Sequence, residues 1–305
     1  MKIVSLLPSA TEIVFTLGLG EQLEGVTYEC DFPAEARSKP VVSDTALPRD
    51  RPLTAGEVDD LVGSFMARQE PIYVLDKELI QKIQPDLILA QDLCRVCAVP
   101  SGQVEDALAE LGCTSEVISL DPTSIDDIVE GIVAVGRATG TADRADRIAS
   151  GLRYRIERVR SRANSLSPTR TLCLEWSDPP FAAGHWIPGM VALCGGTNLL
   201  NDRDEPSRRV TWEQVAEARP EVIVFMPCGY SLEDARKETE RLFEVSEFAE
   251  TPAARLGNVF AVDASSYFSR PGPRIVEGLE ILAWTIHPEA FPEPPAGRGG
   301  RIRRA

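Results

Sequence analysis

Basic charge is in short supply in this chain. Lys and Arg number 32 against 47 Asp and Glu, a net charge of −15 over 305 residues. A phosphate-backbone partner needs a basic face, so this balance argues against nucleic acid. Long apolar runs are missing too. No segment reaches the roughly 18–20 uncharged apolar residues of a membrane helix, so the chain is read as not membrane-spanning. Catalytic signatures are also absent: Gly18-Leu19-Gly20 is followed by Gly25 rather than by a Gly three residues on, and there is neither a phosphate-binding loop nor a nucleophile elbow. The expectation is a non-catalytic protein that requires no cofactor.

The N-terminus is apolar at Ile3, Val4, Leu6 and Leu7, but Pro8 and Glu12 interrupt it before signal length and no small-residue cleavage site follows. Seven cysteines, an odd number in a large chain, fit reduced thiols better than a disulfide framework. Together these point to a cytoplasmic protein. The alternative is a periplasmic or other extracytoplasmic protein whose leader has been removed.

What the chain does have is a repeat. Glu78–Ala90 (ELIQKIQPDLILA) and Glu213–Phe225 (EQVAEARPEVIVF) both run from a Glu on a helical turn, through Pro and an acid, to a buried-strand run. Two similar α/β halves are expected, and clefts between lobes are preferred places to hold a small molecule. Strands are predicted at Lys2–Leu7, Leu23–Thr27, Leu87–Ala90, Glu116–Ser119, Arg170–Glu175, Val222–Phe225 and Val259–Val262. Helices are predicted at Ala55–Ala67, Lys77–Gln84, Gly102–Leu111 and Ile275–Ile286, with Ser9 and Glu12 as a capping box on an early helix. Residues 40–76 otherwise read as loop.

Between the halves, Ala145, Ile148, Ala149, Leu152, Ile156, Val159 and Ala163 recur at steps of three and four with no Pro. That predicts one helix over Ala142–Ala163, a rod of about 33 Å that can link two lobes. The expected division is an N-terminal α/β lobe over 1–121, a helical linker over 122–167, a C-terminal α/β lobe over 168–290, and a disordered Pro/Arg-rich tail over 291–305.

Open α/β sheets place ligands at the carboxyl ends of their strands. The side chains that fall there are Ser9, Tyr28, Cys30 and Gln91 in the first half. In the second they are Trp176, Phe181, His185, Trp186, Tyr230, Tyr267, Phe268 and Arg270. The aromatics offer apolar faces to a flat macrocycle. His185, beside Trp186 in GHWIPGM, can ligate a metal or hydrogen-bond a ligand, whereas His287 at a helix end reads as structural. Cys94 and Cys97 form a C-x-x-C after a predicted strand, and Cys30 and Cys228 follow strands as well. These four are a candidate thiolate metal set. Cys113, Cys173 and Cys194 read as core.

Four ordered segments carry a family resemblance: SLLPSATEIVFTLGLGEQLEGVTYECDFP, DPPFAAGHWIPGMVALCGGTNLL, VTWEQVAEARPEVIVF and YFSRPGPRIVEGLEIL. Over most of residues 2–287 the chain resembles the helical-backbone substrate-binding proteins of ABC importers, most closely their cobalamin-binding branch. The resemblance implies two Rossmann-like α/β lobes joined by one long helix, a corrinoid ligand held between them, and an ABC permease as partner. It also implies that Glu78 and Glu213 dock the permease and that Phe181 and Arg270 contact ligand. The pattern departs from the cobalamin branch where flanking acids give way to Ser266 and Ser269 and an aromatic to Gln91. That leaves other corrinoids, corrinoid precursors, haem-like macrocycles and metal chelates open. The alternative function is a cytoplasmic redox or metal-handling protein on the same fold, working through Cys94 and Cys97.

Overall fold

The computed structural model describes residues 1–92, 99–111 and 113–304, and the chain divides into two units. Unit 1 comprises Met1–Pro122 and Asp127–Ala149; unit 2 comprises Thr123–Asp126 and Ser150–Ala305. The architecture is two α/β lobes.

Unit 1 opens with β1 (Ile3–Ser5), α1 (Pro8–Thr16), β2 (Leu23–Thr27) and β3 (Val41–Thr45). It continues through α2 (Ala55–Arg68), β4 (Tyr73–Leu75), α3 (Lys77–Ile83), β5 (Leu87–Ala90), α4 (Ser101–Leu111), β6 (Glu116–Ser119) and α5 (Ile125–Ala138). The sheet order is β4-β3-β2-β1-β5-β6, parallel except for β4. Residues of β1 and β5 are buried without alternation, as in parallel strands covered on both faces. Val4, Leu6, Ile88 and Ala90 join Val104 and Leu108 of α4 and Ile80 of α3 in one core.

Next, α6 (Ala142–Ala163) runs as one 22-residue helix. Its buried residues are Ala145, Ala149, Leu152, Ile156, Val159 and Ala163, the stripe that the three–four spacing predicts.

Unit 2 follows with β7 (Thr169–Ser177), β8 (Pro180–Ala182), α7 (Ile187–Leu193), β9 (Gly196–Asn198), β10 (Arg208–Arg209), α8 (Trp212–Glu217) and β11 (Val222–Phe225). Then come α9 (Leu232–Leu242), α10 (Ser246–Ala249), α11 (Pro252–Leu256), β12 (Val259–Val262), α12 (Ala264–Tyr267), α13 (Ile275–Ile286) and β13 (Gly299–Ile302). The sheet order is β10-β8-β7-β11-β12-β13, with β9 also on β7. Strands β7, β9, β11 and β12 are mutually parallel; β8, β10 and β13 run antiparallel to their neighbours.

The sequence repeat is a structural one. In each unit a short helix, α3 or α8, ends on a non-glycine residue in the left-handed region, Gln84 at φ 51° or Arg219 at φ 47°. Proline follows, which cannot continue the helix through a backbone N–H. The acid after it then accepts a backbone N–H at the start of the neighbouring strand. Asp86 Oδ2 receives Lys2 N at 2.7 Å, and Glu221 Oε2 receives Arg170 N at 2.9 Å. The same dipeptide therefore turns the chain and pins the central strand in both sheets.

Three local expectations are corrected. Ser9 and Glu12 form no capping box: α1 begins at Pro8, its N-cap is Leu7, and Ser9 and Glu12 are buried within the helix. Pro8 takes the first turn because its fixed φ suits a helix start and its missing N–H needs no partner there. Real capping boxes form instead at Thr54/Glu57 and Thr211/Gln214. Residues 40–76, read as mostly loop, contribute β3 and β4. The tail expected to be disordered supplies β13, whose Gly299–Ile302 pairs with Val262–Val259; the sheet edge satisfies its backbone, and buried Ile302 anchors it.

Candidate functional site

The carboxyl edge of the unit 2 sheet gathers loops after three strands. Trp176 lies near the end of β7, and Tyr230 lies in the loop after β11. Their rings meet edge to face at 5.7 Å, a geometry worth about 0.5–1.5 kcal/mol beyond area burial. Tyr230 O accepts Ser265 N at 3.1 Å, joining the β11 loop to the one after β12. Phe181, on β8, pairs with Trp176 across the ladder and carries Arg209 over its ring at 5.5 Å. Trp176, Phe181, Tyr230, Tyr267 and Arg270 are all half-buried, so each keeps part of its surface toward solvent. Burial pushes the Tyr230 hydroxyl pKa up, and the charges of Glu238 and Asp234 push the same way.

Trp186 and Phe268 are placed differently from the sequence expectation. Both are buried, at 7% and 2% exposure, so neither offers a broad face. The reason is polar. A buried indole N–H needs an acceptor, and Trp186 Nε1 donates to Phe268 O at 3.0 Å. The two residues tie the β8–α7 loop to the segment after β12.

His185 precedes Trp186 in the β8–α7 loop. Its backbone is left-handed at φ 53°, its N–H donates to Glu205 O at 2.6 Å, and its ring sits 5.8 Å from that of Trp186. Burial lowers its pKa, which favours the neutral imidazole. Gly184 before it is obligatory, since a Cβ there would meet Ser207 N at 2.3 Å.

Among the described residues at the corresponding edge of unit 1, several polar side chains are hydrogen-bonded within the unit. Cys30 is buried, its sulfur 3.0 Å from Thr11 Oγ1, which in turn donates to Ser5 Oγ at 2.9 Å. Gln91 is buried and donates Nε2 to Leu120 O at 2.9 Å. Ser9 is buried in α1. Tyr28 is half-buried beneath Arg49, at 4.9 Å, and burial followed by the Glu29 charge raises its hydroxyl pKa. Asp92, next to Gln91, accepts hydrogen bonds from Ser101 N and Ser119 Oγ.

Of the candidate thiolate set, Cys94 and Cys97 lie outside the described residues. Cys30 is buried in its hydroxyl relay, and Cys228 is exposed with its N–H on Glu175 O at 3.2 Å. Among the described residues no group of three or more His, Cys, Asp or Glu is placed to hold a metal ion. Cys113, Cys173 and Cys194 are core residues, the last two with thiol pKa values raised first of all by burial. Glu78 and Glu213 are exposed and occupy the same position, second in α3 and second in α8. A 450 Å³ cavity lined by Pro168, Val222 and Asn258 lies at the opposite, amino end of the unit 2 strands.

The description "periplasmic binding protein" matches residues 3–265. The chain belongs to that family. A vitamin B12-binding protein of Vibrio cholerae is 28% identical over 283 residues, covering 92% of this chain and 86% of its own. Two solved structures share the fold. The periplasmic vitamin B12-binding protein of Vibrio cholerae superposes with a TM-score of 0.70 at 24% identity, covering 93% of this chain and 96% of that one. A periplasmic heme-binding protein of Pseudomonas aeruginosa does so with a TM-score of 0.72 at 20% identity, covering 100% and 99%.

This periplasmic binding protein is thus a substrate-binding protein of the ABC-importer type, a non-catalytic class. Family membership overturns the cytoplasmic expectation. That expectation read compartment from the first dozen residues and the odd number of cysteines, but Ile3–Ser5 and Pro8–Thr16 are a strand and a helix of the folded unit and bear on the fold rather than on compartment. In keeping with the sequence, no described helix is long and apolar enough to cross a membrane.

Proposed function

We propose that this periplasmic binding protein captures a corrinoid outside the cytoplasm and delivers it to an ABC permease. The observation that carries the reading is the group of half-exposed rings, Trp176, Phe181, Tyr230 and Tyr267, at the carboxyl edge of the unit 2 sheet. It occurs in a chain that is 28% identical to a vitamin B12-binding protein over nearly its whole length. Aromatic faces suit a flat, largely apolar macrocycle, and Arg270 can give a charge-assisted hydrogen bond to a peripheral amide or carboxylate. His185 is the other proposed ligand contact of unit 2. Glu78 and Glu213 are the proposed permease contacts.

The test is calorimetric titration with cyanocobalamin, cobinamide and hemin. Submicromolar binding of a corrinoid, with hemin weaker by about tenfold or more, is the expected result. Tighter binding of hemin would reassign the ligand, and binding of none of the three would sink the corrinoid reading.

A further inference from the structure

The segment after β12 carries Tyr267 and Arg270 and is short: α12 has four residues, from Ala264 to Tyr267. Helices of that length are not stable alone, so something outside must hold it. Beyond the Trp186–Phe268 and Ser265–Tyr230 hydrogen bonds and Arg274 over the Tyr267 ring, three contacts do so. Asp263 caps it, its carboxylate accepting Ser266 N at 3.0 Å. On α13, Gly278 leaves room for it, since a Cβ there would sit 2.1 Å from Tyr267 O. The third contact comes from beyond the family match, which ends at residue 265.

That third contact is the C-terminal strand. β13 lies antiparallel on β12, with Val262 opposite Gly299, and Asp263 N continues the ladder to Arg298 O at 3.0 Å. The Arg298 side chain then turns to α12. Its guanidinium lies over the Tyr267 ring at 5.2 Å and is ion-paired with Glu277 of α13. Both charged groups are largely shielded, at 33% and 26% side-chain exposure. A planar guanidinium suits this double duty, because it can stack on a ring while its edge donates to a carboxylate.

We infer that Arg298, delivered by β13 and aimed by Glu277, is a positioning residue that pre-orders the Tyr267–Arg270 segment for ligand. This rests on the proposed role of Tyr267 and Arg270 in binding. A segment ordered before binding does not charge the ligand for its ordering, whereas one ordered only a tenth of the time weakens apparent affinity about tenfold.

The test uses the full-length protein as wild type, R298Q, R298K, E277Q and the R298Q/E277Q double variant. Two readouts are taken: amide hydrogen exchange across residues 263–270 without ligand, and affinity for whichever macrocycle the wild type binds. R298Q and E277Q should each speed exchange at Ser266–Arg270 about tenfold while β7 and β11 amides stay protected. The double variant should be no worse than either single one, because the pair acts as a unit. R298K, which keeps charge but not planarity, should recover part of the protection. Affinity should fall by the same factor as protection.

Unchanged exchange at 263–270 in both single variants would overturn the inference, as would a loss of protection spread evenly through unit 2. The exchange arm needs no ligand, so the inference can fail while the corrinoid reading stands. If exchange responds but no macrocycle binds the wild type, the positioning holds and the corrinoid reading is the part that falls.

Discussion

The two sheets present opposite chemistry at their carboxyl edges. All four tryptophans and both histidines fall in unit 2, none in unit 1. In unit 2 that edge shows half-buried rings, Trp176, Tyr230 and Tyr267, the last with Arg298 and Arg274 over it. Among the described residues of unit 1 it shows small polar groups engaged with one another or with backbone, as in the Ser5–Thr11–Cys30 relay and the Gln91–Leu120 bond. Polar groups satisfied internally hold a loop in shape but have little left to give a ligand. Exposed aromatic surface has the reverse property, since covering it with a ligand is favourable. The repeat builds two similar scaffolds, and on the proposed reading the side chains after the strands suit unit 2 to ligand contact.

The largest effect should come from breaking the contact side. Trp176→Ala removes both a ring face and its partner contact with Tyr230. A buried aromatic anchor is worth about 2 kcal/mol or more, so corrinoid affinity should fall about thirtyfold in calorimetry. Gln91→Ala is the counterpart in unit 1. It strands a buried carbonyl, so it should cost about 1–3 kcal/mol in denaturant unfolding and change affinity little. Equal losses of affinity in both variants would break the contrast.

A second prediction concerns what the units share. Glu78 and Glu213 stand at matched helical positions, both exposed, and the Thr211 hydroxyl and a backbone N–H hold Glu213 below the usual carboxylate range. If the pair docks a permease, E78K/E213K should lower ligand uptake by cells about tenfold or more while calorimetric affinity stays at the wild-type value. Normal uptake in the double variant would discard the docking role.

How much of this is legible in the sequence depends on how local the cause is. Leu87–Ala90, Val222–Phe225 and Ala142–Ala163 can be read to the residue, because Pro, an acid and an unbroken hydrophobic period mark them without help from elsewhere. β4, β8 and β10 have only three, three and two residues, and become strands because a neighbour offers its backbone edge. The site divides along the same line. That Trp176 and Tyr267 follow strands is visible in one dimension. That Trp186 and Phe268 turn inward follows from one hydrogen bond between residues 82 apart. Arg298 looks like tail charge until β13 is placed on β12.

The smallest predicted effect sharpens the contrast by pH. His185 and His287 both lie in unit 2 and both have pKa values lowered from 6.5, in each case first of all by burial. The folded state therefore resists protonation more than the unfolded chain does. Above about pH 6.5 both states are neutral and the histidines contribute no pH dependence. As pH falls below that, the unfolded chain binds protons first, and stability is lost progressively down to the folded pKa values. Thermal melts followed by tryptophan fluorescence report unit 2 alone, because every tryptophan is there. Between pH 7.5 and 5.5 the wild-type midpoint should drop, the direction that the two lowered histidine pKa values give. H185Q/H287Q should flatten that drop, and parallel curves for the two proteins would show that the acid sensitivity of unit 2 originates in its carboxylates instead.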